Sequence, residues 1–166
     1  MHVARTRAPA ALIIMLTLLV AACGDDPVEP EVELVEVEDV TFAPSLAVDL
    51  SQMTRLESGV YIQDLHVPEE GQAAFPLYFV TARYSAWIHD GTTLAEDEDW
   101  PRFLLGAGEV ISGWDLGIRN MLVGGKRRII VPPGRAFGAN GDGGNIPGNV
   151  VLVFDVEVVD VEVPPN

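Results

Sequence analysis

The stretch FLLGAGEVISGWDLGIRNMLVGGKRRIIVPPGRAFGANGDGGNIPGNVVLVFDVEV, Phe103 to Val158, decides the fold because its hydrophobic period changes within it. From Val110 to Leu122 the residues Val110, Trp114, Ile118 and Met121 or Leu122 recur at helical spacing, on one face of an amphipathic helix. Arg127 to Val131 and Val150 to Val159 return to the patterning of β-strands. One helix among several antiparallel strands indicates an α+β domain.

Strand patterning continues towards the N-terminus. GVYIQDLHV, from Gly59, alternates and then meets the turn Pro68-Glu-Glu-Gly71. A second strand is expected from about Pro76 to Ile88, followed by the hairpin signal Asp90-Gly91. Glu96 to Asp99 reads as a solvated acidic loop, and Phe103-Leu-Leu as a further short strand. The domain proper is therefore placed at residues 59–163. Before it, residues 41–58 form an N-terminal extension whose Leu46, Leu50, Met53 and Leu56 allow a short helix or a segment laid against the domain. Residues 23–40 mix prolines with alternating acids and valines. They read as an extended acidic linker in preference to an edge strand, because prolines and like charges favour a solvated chain.

Residues 1–22 have the form of an export signal. Arg5 and Arg7 precede a short apolar run from Ala10 to Val20, which is too short for a bilayer-spanning helix of about 20 residues. Small residues then lead into Cys23, an arrangement that resembles a bacterial lipobox, in which the cysteine is lipidated and becomes the first mature residue. Cys23 is the only cysteine, so an intramolecular disulfide is impossible. The reading is of a protein of the bacterial cell envelope, anchored through lipid on Cys23 and facing the periplasm. Gly24 after the cysteine points to the outer membrane rather than the inner. The chain of 166 residues has a formal charge of −15, and loss of the two leader arginines makes it −17. Such an excess of acid argues against nucleic acid and against electrostatic docking on anionic lipid.

The motifs GxxxVIxGWDxG around Trp114, VGGKRRIIVPP through Pro133, AFGANG from Ala136, and NIPGNVVLVFDVEV occur in order. On them the chain resembles the FKBP-type peptidyl-prolyl cis-trans isomerases, from roughly Gly59 to Val161 and most closely after Phe103. The resemblance implies a curved antiparallel β-sheet wrapped around one short α-helix. It also implies isomerisation of Xaa–Pro bonds in proline-containing unfolded or partly folded polypeptides, with no cofactor or metal. Trp114 would be the pocket floor, with Val110 and Ile111 on its wall and the Ile111 N–H donating to a bound carbonyl. Tyr84, Phe103, Ile146 and Phe154 would complete the apolar lining. Phe137 stands where the family commonly has a ligand-binding tyrosine, and the loop from Gly138 to Gly148 would overhang the pocket.

This residue set suits the chemistry. Rotation about an Xaa–Pro amide breaks resonance, with a barrier of about 18–20 kcal/mol, and no bond need break or proton move. The twisted amide is less dipolar than the planar one and loses less on leaving water. An apolar pocket that grips and dehydrates the bond therefore favours the transition state.

Several positions depart from the family pattern where ligand is expected. Leu94 and Ala95 replace a phenylalanine and an aspartate, Pro101 replaces an aromatic residue, and Gly148 breaks the usual IPP. Trp100, beside Pro101, is the candidate to replace the missing aromatic. The lost polar groups weaken the expectation of macrolide binding more than that of isomerisation. They also motivate a second reading, a catalytically weak proline-peptide binding module or holdase.

Other chemistries find no support. The glycine-rich run is followed by no helix and contains Asp142, which would repel phosphate. Glu96 to Asp99 lacks EF-hand spacing, and His66 and His89 lie far apart without partner ligands for zinc. No Ser, His and acid occur at hydrolase spacing. Lys126-Arg127-Arg128 is expected to alternate faces on a strand and balance nearby acids.

Overall fold

Alternating apolar residues on long strands leave this sheet with two faces to bury, and the chain covers both. The computed structural model describes residues 32–165. In chain order these form β1 (Thr54–Arg55), β2 (Tyr61–His66), β3 (Phe79–Ile88), β4 (Thr93–Leu104), α1 (Ser112–Gly117), β5 (Lys126–Val131) and β6 (Leu152–Glu162). The strands make one six-stranded antiparallel sheet in the order β1-β2-β5-β6-β3-β4. One short helix against an open, curved antiparallel sheet is the expected α+β architecture.

The two faces follow from the pleat, because successive side chains point to opposite sides of a strand. Ile129 and Val131 of β5 join Leu152, Phe154, Val156 and Val158 of β6 in the cluster that holds Trp114 and Ile118. Their neighbours Ile130 and Val153 turn the other way, where they pack with Tyr61, Val37 and Leu46. Each fully buried Val or Ile contributes about 1.5–3 kcal/mol of apolar transfer.

Glycines set the distance between helix and sheet. A Cβ on Gly113 would lie 2.3 Å from Val131 Cγ1, and one on Gly117 would lie 2.7 Å from Ile129 Cδ1. The helix is shorter than the expected span from Val110 to Leu122. It ends at Gly117, and Asn120 takes a left-handed conformation, φ 63°, that breaks the helical path. Ile118 and Met121 are still buried, through the turn that follows rather than through a longer helix.

The basic triplet does alternate and pair. Lys126 reaches Glu157 at 3.1 Å and Arg128 grips both oxygens of Asp155 at 2.7 Å. Arg127, nearly buried, pairs with Asp64 at 2.6 Å and donates from one Nη to the carbonyls of Gly117 and Arg119, which closes the end of α1.

Two further expectations are corrected. Glu96 to Asp99 is not a loop: it lies within β4, where Arg83 pairs with Asp99 at 3.0 Å and Asp97 at 3.7 Å. The register shifts between Tyr84 and Ala86, with Asp97 at φ 51°, so the strand absorbs the acids through a bulge. The linker expectation fails over residues 32–40, while residues 23–31 lie outside the described residues. Val37 is fully buried on the outer face of the sheet, and Glu38 accepts hydrogen bonds from Tyr61 Oη at 2.5 Å and Arg55 Nε at 2.9 Å. Burial of Val37, with Val35 and Val40 partly covered beside it, outweighs the like charges, which all point to water. The extension at 41–58 is laid against the domain through short 3-10 turns at Pro44–Leu46 and Leu50–Gln52, and ends in β1.

Replacing Gly113 by Ala should gain up to about 1 kcal/mol in helix propensity but lose more by forcing Val131 aside. The net loss, about 1–3 kcal/mol, is read from urea unfolding. The Glu38 carboxyl is held below its ordinary range chiefly by the Tyr61 hydroxyl and also by Arg55. A carboxyl lowered in the folded state contributes stability that is present above its unfolded value and disappears as pH falls through the carboxylate range. Acid unfolding of Glu38→Gln should accordingly show less loss of stability between neutral pH and pH about 3 than the parent chain.

Candidate functional site

Trp114 becomes a floor because α1 can press against β5 on its glycines. The indole, 3 % exposed, meets Tyr84 of β3 at 5.1 Å and Phe154 of β6 at 5.5 Å between ring centroids, both edge to face. Trp100 of β4 closes a third side, 5.7 Å from Trp114 and 5.9 Å from Tyr84. Above these rings opens a cavity of about 400 Å³, lined mostly by apolar groups.

The approach to α1 is fixed by two carboxylates. Asp115 accepts the N–H groups of Gly106 at 2.7 Å and Gly108 at 3.3 Å, and Glu109 accepts that of Leu104 at 2.8 Å. The chain thus folds back so that Val110 and Ile111 form one wall of the cavity. Ile111 caps the helix, and its backbone N–H has no protein acceptor among the described residues.

The opposite wall is the loop from residue 136 to 149, which brings Phe137 and Ile146 to the cavity. Asp142 folds this loop by accepting the N–H groups of Gly144 at 2.8 Å and Ile146 at 2.9 Å. Those bonds, Ile146 first, hold its carboxyl below the ordinary range, so it stays ionised. Among the described residues, the carboxylates on the cavity are Asp142 and Glu109, and no Lys, Arg or His lines it. Burial, and then the charge of Glu98, push the Tyr84 hydroxyl up, so it stays a neutral donor.

Seven of the eight residues that the resemblance assigned to the pocket meet here: Tyr84, Val110, Ile111 and Trp114, then Phe137, Ile146 and Phe154. Phe103 does not. It is 3 % exposed and lies behind the floor, 6.3 Å from Trp114, as a core residue that supports the indole. Trp100 stands on the cavity with Leu94 and Ala95, and Pro101 does not line it. Ala86, Glu109 and Asn145 also line the cavity and were not singled out in the sequence. The Asp142-Gly-Gly sequence carries a turn signal, Asp accepting from an N–H two residues on, that could have placed Asp142. Cys23 lies outside the described residues.

Among the described residues that line the cavity, no nucleophile is paired with a base. Among the described residues no group of three or more His, Cys, Asp or Glu is placed to hold a metal ion. The cavity can strip water from an apolar ring and the adjoining amide while leaving a neutral N–H and a hydroxyl for the carbonyls.

Comparison with known proteins agrees with this geometry. Residues 71–159 match the FKBP_C family, the FKBP-type peptidyl-prolyl cis-trans isomerases. The chain belongs to that family. The FK506-binding protein of Neisseria meningitidis serogroup B is 38% identical over 106 residues, covering 62% of this chain and 96% of that protein. Peptidyl-prolyl cis-trans isomerase FKBP53 of Arabidopsis thaliana is 34% identical over 116 residues, 68% of this chain, but this chain spans only 24% of its length. A crystal structure of a peptidyl-prolyl cis-trans isomerase from Pseudomonas syringae pv. tomato superposes with a TM-score of 0.59 at 30% identity, covering 68% of this chain and 82% of that one.

Trp100→Ala should weaken binding of a proline peptide about two- to tenfold, the scale of the aromatic contacts it removes. Titration followed by the fluorescence of the remaining tryptophans checks this, and unchanged affinity would show that the ring only shields the pocket mouth.

Proposed function

We propose that this protein is a peptidyl-prolyl cis-trans isomerase acting on Xaa–Pro bonds of unfolded or partly folded polypeptides. The observation that carries the reading is the aromatic cavity on Trp114, built in large part by residues of the motifs quoted above and bounded by the Ile111 N–H, which has no acceptor among the described residues. A proline ring seated on the indole places the preceding amide in a dry, apolar space, where the less dipolar twisted form is favoured over the planar one. The Ile111 N–H offers a bond to a substrate carbonyl. The residues at the site supply desolvation, a small number of donors and shape, which is what rotation without bond cleavage requires.

The position of this activity is also a proposal. Residues 1–22 direct export, Cys23 carries the lipid, and clients are proteins of the envelope. The basis is the sequence at Arg5, Arg7, Ala10 to Val20 and Cys23. Several acyl chains give stable anchoring where one is marginal. Mass spectrometry of the mature N-terminus distinguishes a lipidated Cys23 from a free one, and Cys23→Ser should release the protein from the membrane fraction.

Ala95 and Phe137 support a second reading, because neither carries the polar group that the family pattern has there. In that reading the cavity grips proline segments without turning them over. NMR exchange on Xaa–Pro tetrapeptides decides between the two. Acceleration in the parent chain, reduced about tenfold or more in Trp114→Leu, equivalent to about 1.4 kcal/mol of transition-state stabilisation, supports the isomerase. Binding without acceleration establishes the module instead.

A further inference from the structure

The loop 136–149 is one wall of the cavity, yet its own composition leaves it permissive. Gly138, Gly141 and Gly143 all take positive φ, a region open to glycine at little cost. Its neck is closed by Gly138 N–H to the Pro133 carbonyl and Asn149 N–H to the Gly138 carbonyl, both at 2.8 Å. Among the described residues, its side-chain hydrogen bonds to the rest of the chain are both made by Asn149. The Oδ1 of Asn149 accepts the Val35 N–H at 2.8 Å, and its Nδ2 donates to the Glu33 carbonyl at 3.2 Å.

The segment that carries those partners is held at Leu34, Val37 and Glu38. Val37, two residues beyond Val35, is fully buried against the outer face of the sheet, and Glu38 is bonded to Arg55 and Tyr61. Leu34 packs beside Gly134, its Cδ1 3.4 Å from the position of an added Cβ. A strap anchored on one face of the sheet therefore reaches round to the loop that walls the cavity on the other. This strap lies outside residues 71–159 that match the family.

Asn149 is chemically well suited to the junction. It sits at φ 58°, which Asn tolerates better than most residues. Asp could take that conformation and accept from Val35 but could not donate to Glu33. Gly could take it and make neither bond.

We infer that Asn149 is a positioning residue: through its paired bonds to Val35 and Glu33, the strap 33–37 holds the loop 136–149 in its peptide-gripping arrangement and thereby sets substrate affinity. This rests on the isomerase reading above. The physical link is population. If only a fraction of molecules holds the loop in the competent arrangement, apparent affinity falls by that fraction. A substrate once bound selects the competent form, so turnover from the complex changes little.

The test uses the full chain, with Asn149→Gly and Asn149→Asp, in the Xaa–Pro exchange assay resolved into KM and kcat. Asn149→Gly should raise KM about three- to tenfold, the effect of losing two modest hydrogen bonds, with kcat within about twofold. Asn149→Asp, which keeps the acceptor, should fall between. Val35→Pro removes the same N–H and should add little on top of Asn149→Gly. A general loss of folded protein would instead lower the maximal rate at unchanged KM, and that result, or an unchanged KM, overturns the inference. Should the parent chain show no acceleration, the isomerase reading fails separately. Hydrogen exchange then decides the coupling: faster exchange of the Asp142 amide, which is bonded to the Ile146 carbonyl, in Asn149→Gly supports it, and unchanged protection overturns it.

Discussion

The close approach of α1 to β5 is the constraint on which the rest of the structure depends. Gly113 and Gly117 face Val131 and Ile129 at distances where no Cβ fits, and the helix can reach the sheet only because both lack one. That approach presses the indole of Trp114 between Tyr84 and Phe154, and it brings the helix end within reach of Arg127, which satisfies the carbonyls of Gly117 and Arg119. Interiors are packed as densely as organic crystals. A helix standing off by one methyl group would move the floor of the cavity and leave a gap behind it. Two glycines in six helical residues lower helix propensity, so the short helix is kept by its packing rather than by its own preference.

A sheet with a helix on one face still has another to cover. In this chain the covering is the acidic N-terminal segment, which lays Val37 and Leu46 over Tyr61, Ile130 and Val153. Its charged residues remain in water, and one of them, Glu38, also serves as an acceptor that fixes the segment to β1 and β2. The segment thereby belongs to the domain, and through Asn149 it touches the loop that bounds the cavity.

The cavity itself is dominated by desolvation rather than by charge. Aromatic edges on Trp114 form an apolar bed, and the two carboxylates on the lining are both engaged with backbone N–H groups. Their work is to shape the chain around the pocket. Trp100 lines the cavity and its neighbour Pro101 does not, so of these two the apolar boundary comes from one strand position alone. A shift of one residue normally carries a side chain to the opposite face of a strand. The bulges that interrupt the register of β3 and β4 are the local device that re-aims this part of the strand.

Much was legible beforehand. The period change at Val110 gave the α+β class and placed Trp114 on the buried face of the helix, because alternation and helical spacing are local properties of a chain. Family resemblance made Trp114 the pocket floor and added Val110, Ile111, Tyr84, Ile146 and Phe154 around it. What escaped was decided by contacts between distant segments. Residues 32–40 carry the composition of a solvated linker, and only the unfilled outer face of the sheet makes Val37 bury. Phe103 has the character of a lining residue, but the neighbouring rings leave it behind the indole. The acidic run at Glu96 looks like a loop until Arg83 on β3 pairs with it. The sequence by itself determined which elements form and which chemistry they can carry, since those depend on near neighbours. The tertiary structure alone decided which apolar side chains meet and which loop the strap holds, since burial and hydrogen bonding between residues a hundred positions apart have no local signature.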